Sequence, residues 1–224
     1  MTGVIGLITT LAAVAELRSC FATREITPAV EKRIEAAARE VHQHRPVPGV
    51  ARDRALAAAV EALATSEQVS VEEANEIAIK LSRRLVLTDE SLQRGLNMAR
   101  AGRYEQARRE FLSATTTDAQ SPAAWSNLAA SDALLAKYDE AREAYVRALT
   151  LTPSDWRVRY NLGLLFARTG DPEEGLKHVS RAIAFLRSSS RRSEDLDAVL
   201  HELRTDPGLG SLRQTTGFAA LVGG

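Results

Sequence analysis

Side chains able to do chemistry are few in this chain and stand far apart. There is one cysteine, Cys20, and four histidines, His42, His44, His178 and His201. His42 and His44 are two apart, so on a helix they point to different sides. A zinc site needs several His or Cys ligands at close spacing, and this pattern offers none. There is no Gly-rich phosphate loop, no nucleophile elbow and no Cys/His pair. Gly208-x-Gly210 is too short to cradle a phosphate. The acidic pairs Glu72-Glu73 and Glu173-Glu174 stand where helices begin, and there they answer the helix dipole. These residues predict neither an enzyme, nor a cofactor, nor a metal site; they leave binding as the work to be explained.

Composition narrows the class further. The 224 residues are 45% hydrophobic and 26% charged, with 29 basic and 29 acidic side chains. A formal net charge of zero with no basic arm argues against nucleic acid as the partner. A lone cysteine suits a reducing compartment, so a cytoplasmic setting is expected. Met1 to Ala15 carries no charge, but it is shorter than the ~18–20 apolar residues that span a bilayer. No basic stretch precedes it, so it does not read as a secretory signal. On a helix, Val4, Leu7, Ile8, Leu11, Val14, Ala15 and Leu17 share one face. That face needs a cover: the rest of the N-terminal region, a second copy or partner protein, or a membrane surface. The membrane case is not favoured, because a basic polar face and bulky aromatics are missing.

The strongest signal is internal periodicity. Gly95, Ala129 and Gly163 are spaced by 34, as are Tyr104, Tyr138 and Pro172. The same spacing joins Ala107, Ala141 and Gly175, then Phe111, Tyr145 and Val179, then Ala114, Ala148 and Ala182. Small residues in two columns let a first helix approach a second, and the larger column fills the space between them. Tight turns are expected at Ala101-Gly102-Arg103, Ala136-Lys137 and Thr169-Gly170-Asp171. Ser121-Pro122 opens one helix, and Ser154 or Asp155 caps another.

This pattern resembles the tetratricopeptide repeat (TPR), with repeats at 88–121, 122–155 and 156–189. The middle repeat matches best, with Trp125-x2-Leu128-Ala129, Tyr138, Ala141, Tyr145, Ala148-Leu149 and Pro153. The third keeps Asn161-Leu162-Gly163, Phe166 and Gly170. The first keeps Gly95, Tyr104, Ala107, Phe111 and Ala114 but has Arg94 where leucine is usual. The fold class implied is all-α: a right-handed TPR helix-hairpin solenoid with an N-terminal helical unit and a C-terminal capping helix.

The flanks complete the organisation. Residues 1–87 form an N-terminal helical region of no recognised family, with helices near 3–22, 28–43, 50–65 and 71–86. Ser70-Val71-Glu72-Glu73 reads as a capping box. Residues 190–224 read as a solenoid cap: a polar loop, a helix near Asp195 to Arg204, then Leu209, Leu212, Phe218 and Leu221. A last repeat without a neighbour exposes an apolar face, and this segment is suited to cover it.

The resemblance also implies where a partner would bind. Inward positions of the first helices form a groove of Leu92, Leu96, Arg100, Ser126, Asn127, Ala130, Leu134, Arg157, Tyr160, Asn161, Leu164 and Arg168. The groove suits an amphipathic helix or an extended peptide; coverage by the protein's own chain or by a second copy is the competing reading. Some TPR arrays hold a peptide's terminal carboxylate with asparagines and basic residues. Here only Asn127 and Arg157 stand at such positions, while Leu92, Leu96 and Asn161 replace the rest, so that clamp is not expected. The expected function is a non-enzymatic adaptor or scaffold for another protein. The alternatives are a chaperone for one client, resembling type III secretion TPR chaperones, and a membrane-associated assembly factor. Homo-oligomerisation through the N-terminal helices stays open.

Overall fold

The computed structural model describes residues 28–43, 71–188 and 193–223. The helices expected near 3–22 and 50–65, and the box at Ser70, lie outside the described residues. Every regular element among the described residues is helical: α1 Pro28–Gln43, α2 Val71–Arg100, α3 Tyr104–Thr117, α4 Pro122–Leu134, α5 Tyr138–Leu151, α6 Trp156–Arg168 and α7 Pro172–Ser188. After these come α8 Ser193–Thr205, a 3₁₀ turn Pro207–Leu209, α9 Gly210–Arg213 and α10 Phe218–Gly223. Two compact units divide the chain. One holds residues 1–90 with Thr117–Ser121; the other holds Ser91–Thr116 and residues 122–224.

In the first unit, α1 buries Ile34, Ala37 and Ala38, three residues on one stripe of a 3.6-residue helix. The early part of α2 buries Ile77, Leu81 and Leu85, four residues apart. His42 Nε2 lies 2.7 Å from the fully buried Asp118 carboxylate, which also accepts the Gln120 backbone N–H.

One expectation needs correction here. The pattern predicts a helix ending near residue 86 and a new one opening the first repeat at 88. Instead α2 runs unbroken for 30 residues. No glycine or proline interrupts Val86-Leu87-Thr88-Asp89. Thr88, a residue type that can start a helix, turns its hydroxyl back to the Arg84 carbonyl at 2.8 Å. A threonine bonded to its own preceding turn decorates a helix rather than beginning one.

The second unit is a series of hairpins built on the repeat columns. The small residues Ala107, Ala129, Ala141, Ala114, Ala148 and Ala182 are buried, and Phe111, Tyr145 and Val179 fill the space beside them. The third hairpin is the tightest. A Cβ added at Gly163 would stand 2.8 Å from the Gly175 carbonyl oxygen, and one at Gly175 would stand 2.7 Å from the Gly163 carbonyl oxygen. The hairpin turns require a left-handed residue each. Gly102 and Gly170 supply it at φ 71° and 97°, and Ala136 takes it at φ 58° in the middle repeat.

Helix ends follow local chemistry. The Asp155 carboxylate accepts the backbone N–H groups of Arg157 and Val158 and so starts α6. Pro122 and Pro172 occupy the first positions of α4 and α7, where a missing N–H costs nothing. Ser188 closes α7, and residues 189–192 of the expected polar loop lie outside the described residues. In the second unit one core joins Phe111, Leu128, Tyr145, Val158 and Leu162 across the three repeats. The other joins Trp156, Tyr160, Leu164, Val179, Ile183 and Leu186 to Val199, Leu203, Leu209, Leu212 and Phe218 of the C-terminal segment. Glu194, Asp197 and His201 on α8 stay exposed.

Candidate partner-binding surface

The twelve groove positions fall into two sets. In the first repeat, Leu92 and Leu96 are half-buried beside the core and Arg100 is exposed. In the second, Ser126, Asn127 and Ala130 are half-buried, and Leu134, the last residue of α4, is 60% exposed. These seven line the open part of the first-helix face.

The third repeat is different. Tyr160 and Leu164 are only 5% and 7% exposed, packed against Val199 and Leu203 of α8 and against Leu209 and Leu212. Arg157 pairs with Asp195 at 3.2 Å, and Arg168 with Asp206 at 3.0 Å. At this repeat the protein's own C-terminal segment covers the groove positions. Asn161 remains exposed. The two residues at carboxylate-clamp positions are also occupied within the chain: Asn127 donates to the Ala123 carbonyl at 2.8 Å, and Arg157 holds Asp195 while its guanidinium lies 4.5 Å over the Trp156 ring.

Electrostatics mark the covered end. Burial pushes the Tyr160 hydroxyl well above its ordinary range, and the neighbouring Glu202 carboxylate adds to it. Burial likewise pushes Tyr145 up to about 12, opposed by its hydrogen bond with Asn161. His178 stacks on Phe166 with ring centroids 5.4 Å apart, and burial lowers its pKa. Asp206 does three things: it caps the 3₁₀ turn through the Gly208 N–H at 2.8 Å, it holds Arg168, and its carbonyl accepts from Arg213 at 2.7 Å. The ion pair from Asp206 to Arg168 spans more than a full repeat and has no local signature in the sequence.

A shallow cleft of about 350 Å³ lies between Arg108, Trp125, Leu128, Asp132, Glu140, Glu143, Ala144 and Arg147. Its one buried carboxylate, Asp132, is already held by Arg108. Among the described residues no group of His, Cys, Asp or Glu is placed to hold a metal ion. Among them also, no helix is long and apolar enough to cross a membrane.

Comparison with known proteins agrees with this geometry. Residues 135–190 match the family model described as tetratricopeptide repeat. The chain carries tetratricopeptide repeats, and its fold is the all-α fold of such arrays. Among solved structures, BtubC (BKLC) from P. vanneervenii is 19% identical, covers 88% of either chain and superposes with a TM-score of 0.54. The type III secretion translocator chaperone SycD of Yersinia enterocolitica is 17% identical over 52% of this chain and 80% of its own, with a TM-score of 0.48. No curated protein sequence matches the chain.

Proposed function

We propose that this protein is a non-enzymatic adaptor that binds a helix or an extended segment of another protein on the first-helix face of repeats one and two. What carries the reading is the contrast between the repeats. At the third repeat the chain covers its own apolar positions, whereas Leu134 stands 60% exposed beside half-buried Leu92, Leu96 and Ala130. An apolar strip of this kind, lying between helices, fits an amphipathic segment read by a few anchor residues. A cytoplasmic setting accords with the single cysteine.

The test is affinity purification from the native host with wild type and with a Leu96→Glu, Leu134→Glu variant whose helix content has been checked by circular dichroism. A partner retained by wild type and lost by the variant supports the reading. An unchanged set of partners overturns it and moves attention to residues 1–87. Leu164 is unsuited to this test, because a charge there would disrupt the core.

A further inference from the structure

The two ion pairs at the third repeat share one register. Arg157 meets Asp195 and Arg168 meets Asp206, in both cases with an offset of 38 along the chain. Asp195 lies on α8 and Asp206 one residue past its end, so the constant offset means that α8 runs the same way as α6 with like positions side by side. Moreover α8 packs on α7, as α6 packs on α5. So α8 takes the place of a further first helix after α7, set back from the repeat period by about one helical turn. Equivalent positions on the first helices therefore form rows across the array.

One such row reads Arg100, Leu134, Arg168 and Asp206. Arg168 finds its carboxylate within the row. Arg100 has Leu134 for a row neighbour instead. Arg103 and Lys137, in the turns at the same ends of the first helices, are exposed as Arg100 is. Among the described residues, none of these three cations is in an ion pair, and Leu134 is the most exposed large apolar residue. The result is an exposed leucine at an edge of mixed charge, where Arg100, Arg103 and Lys137 end the first helices and Glu105, Asp139 and Glu140 open the second ones.

We propose that the open half of the groove recognises an acidic, aliphatic segment: a carboxylate that pairs with the Arg100 guanidinium, next to an aliphatic side chain that lies on Leu134 and Leu96. A guanidinium and a carboxylate can form two parallel charge-assisted hydrogen bonds. The chain holds its own example of the chemistry, since the third repeat is met by Asp195 and Asp206 together with Val199 and Leu203. This inference rests on the groove reading above and adds the chemical class of the partner.

Three short synthetic helical peptides with one shared leucine pattern, flanked by Glu, Gln or Lys, test it by fluorescence anisotropy. The Glu peptide is expected to bind wild type about tenfold more tightly than the Gln peptide, with the Lys peptide weakest. Arg100→Gln should remove most of that gap and leave the Gln peptide's affinity unchanged. Equal binding of the Glu and Gln peptides, or a gap that survives Arg100→Gln, overturns the proposal. If all three bind alike and the Leu96→Glu, Leu134→Glu variant abolishes binding, the groove stands and the acidic preference falls. If that variant binds as wild type does, or wild type binds none of the peptides, both readings fall.

Discussion

Replacing Gly163 with alanine would report directly on how closely the helices of the third repeat approach. The new Cβ would stand 2.8 Å from the Gly175 carbonyl oxygen, 2.8 Å from Val179 Cγ2 and 3.1 Å from His178 Cβ. Carbon atoms in good contact lie ~3.5–4.0 Å apart, so the overlap with the valine methyl is most of an ångström. The valine could turn aside, but the oxygen belongs to the backbone of α7 and moves only if the helix does. Overpacking of this kind costs about 1–3 kcal/mol. Against it stands the gain from replacing a mid-helix glycine with alanine, about 1 kcal/mol. The difference spans about 0–2 kcal/mol, and because the clash is with backbone the variant should fall in the upper half of that span, destabilised by about 1–2 kcal/mol, which for a chain of this length lowers Tm by roughly 2–8 °C. Thermal and urea unfolding followed by far-ultraviolet circular dichroism would measure it. A Tm equal to or above that of wild type would refute the close approach at Gly163 and Gly175. Gly95→Ala offers an independent version, because its Cβ would meet the side chain of Phe111, not backbone.

Other consequences can be checked with the same assays. Ala136→Gly should raise Tm: a left-handed alanine costs ~1–2 kcal/mol, and glycine's extra freedom in the unfolded chain returns only ~0.5–1 of it. A lower Tm would show that Ala136 is unstrained. Removing residues 193–224 should lower helix stability beyond the loss of those helices and make the protein bind an apolar dye, since Tyr160 and Leu164 lose Val199, Leu203, Leu209 and Leu212. A truncated protein that unfolds like wild type would show the segment to be no part of the core. His178 should titrate below its ordinary 6.5 in an NMR pH series, because burial disfavours its charged form. Its depressed pKa makes the stability it contributes present at neutral pH and lost as pH falls from 6.5 through its folded value. Titration above 6.5 would contradict the burial.

Much of the repeat geometry can be read from residue columns, because a helix crossing that lacks room for a Cβ leaves its mark once in every repeat. Gly163 and Gly175 are legible for that reason, and so are the turns at Gly102 and Gly170. Ala136 is legible as a turn but not as a strained one, since nothing local distinguishes an alanine at positive φ. The unbroken α2 escapes the pattern because the repeat period suggests a boundary where the backbone has no breaker. Coverage of Tyr160 and Leu164 is hidden for another reason. An inward position in one repeat is open or closed according to what stacks next, and that partner lies more than a full repeat further along the chain. The charge row through Arg100 becomes visible only when two distant ion pairs supply the register.

The exposed face of α8 has a consequence for how such a chain could lengthen. Glu194, Asp197 and His201 look outward from α8. A further hairpin laid on that face would have to dehydrate two carboxylates and an imidazole, which is expensive without matching partners. Growth by duplication is therefore easier between existing hairpins, where alanine and glycine already meet, than beyond Ser193. Any engineered extension at the C-terminal end would have to begin by rewriting those three side chains.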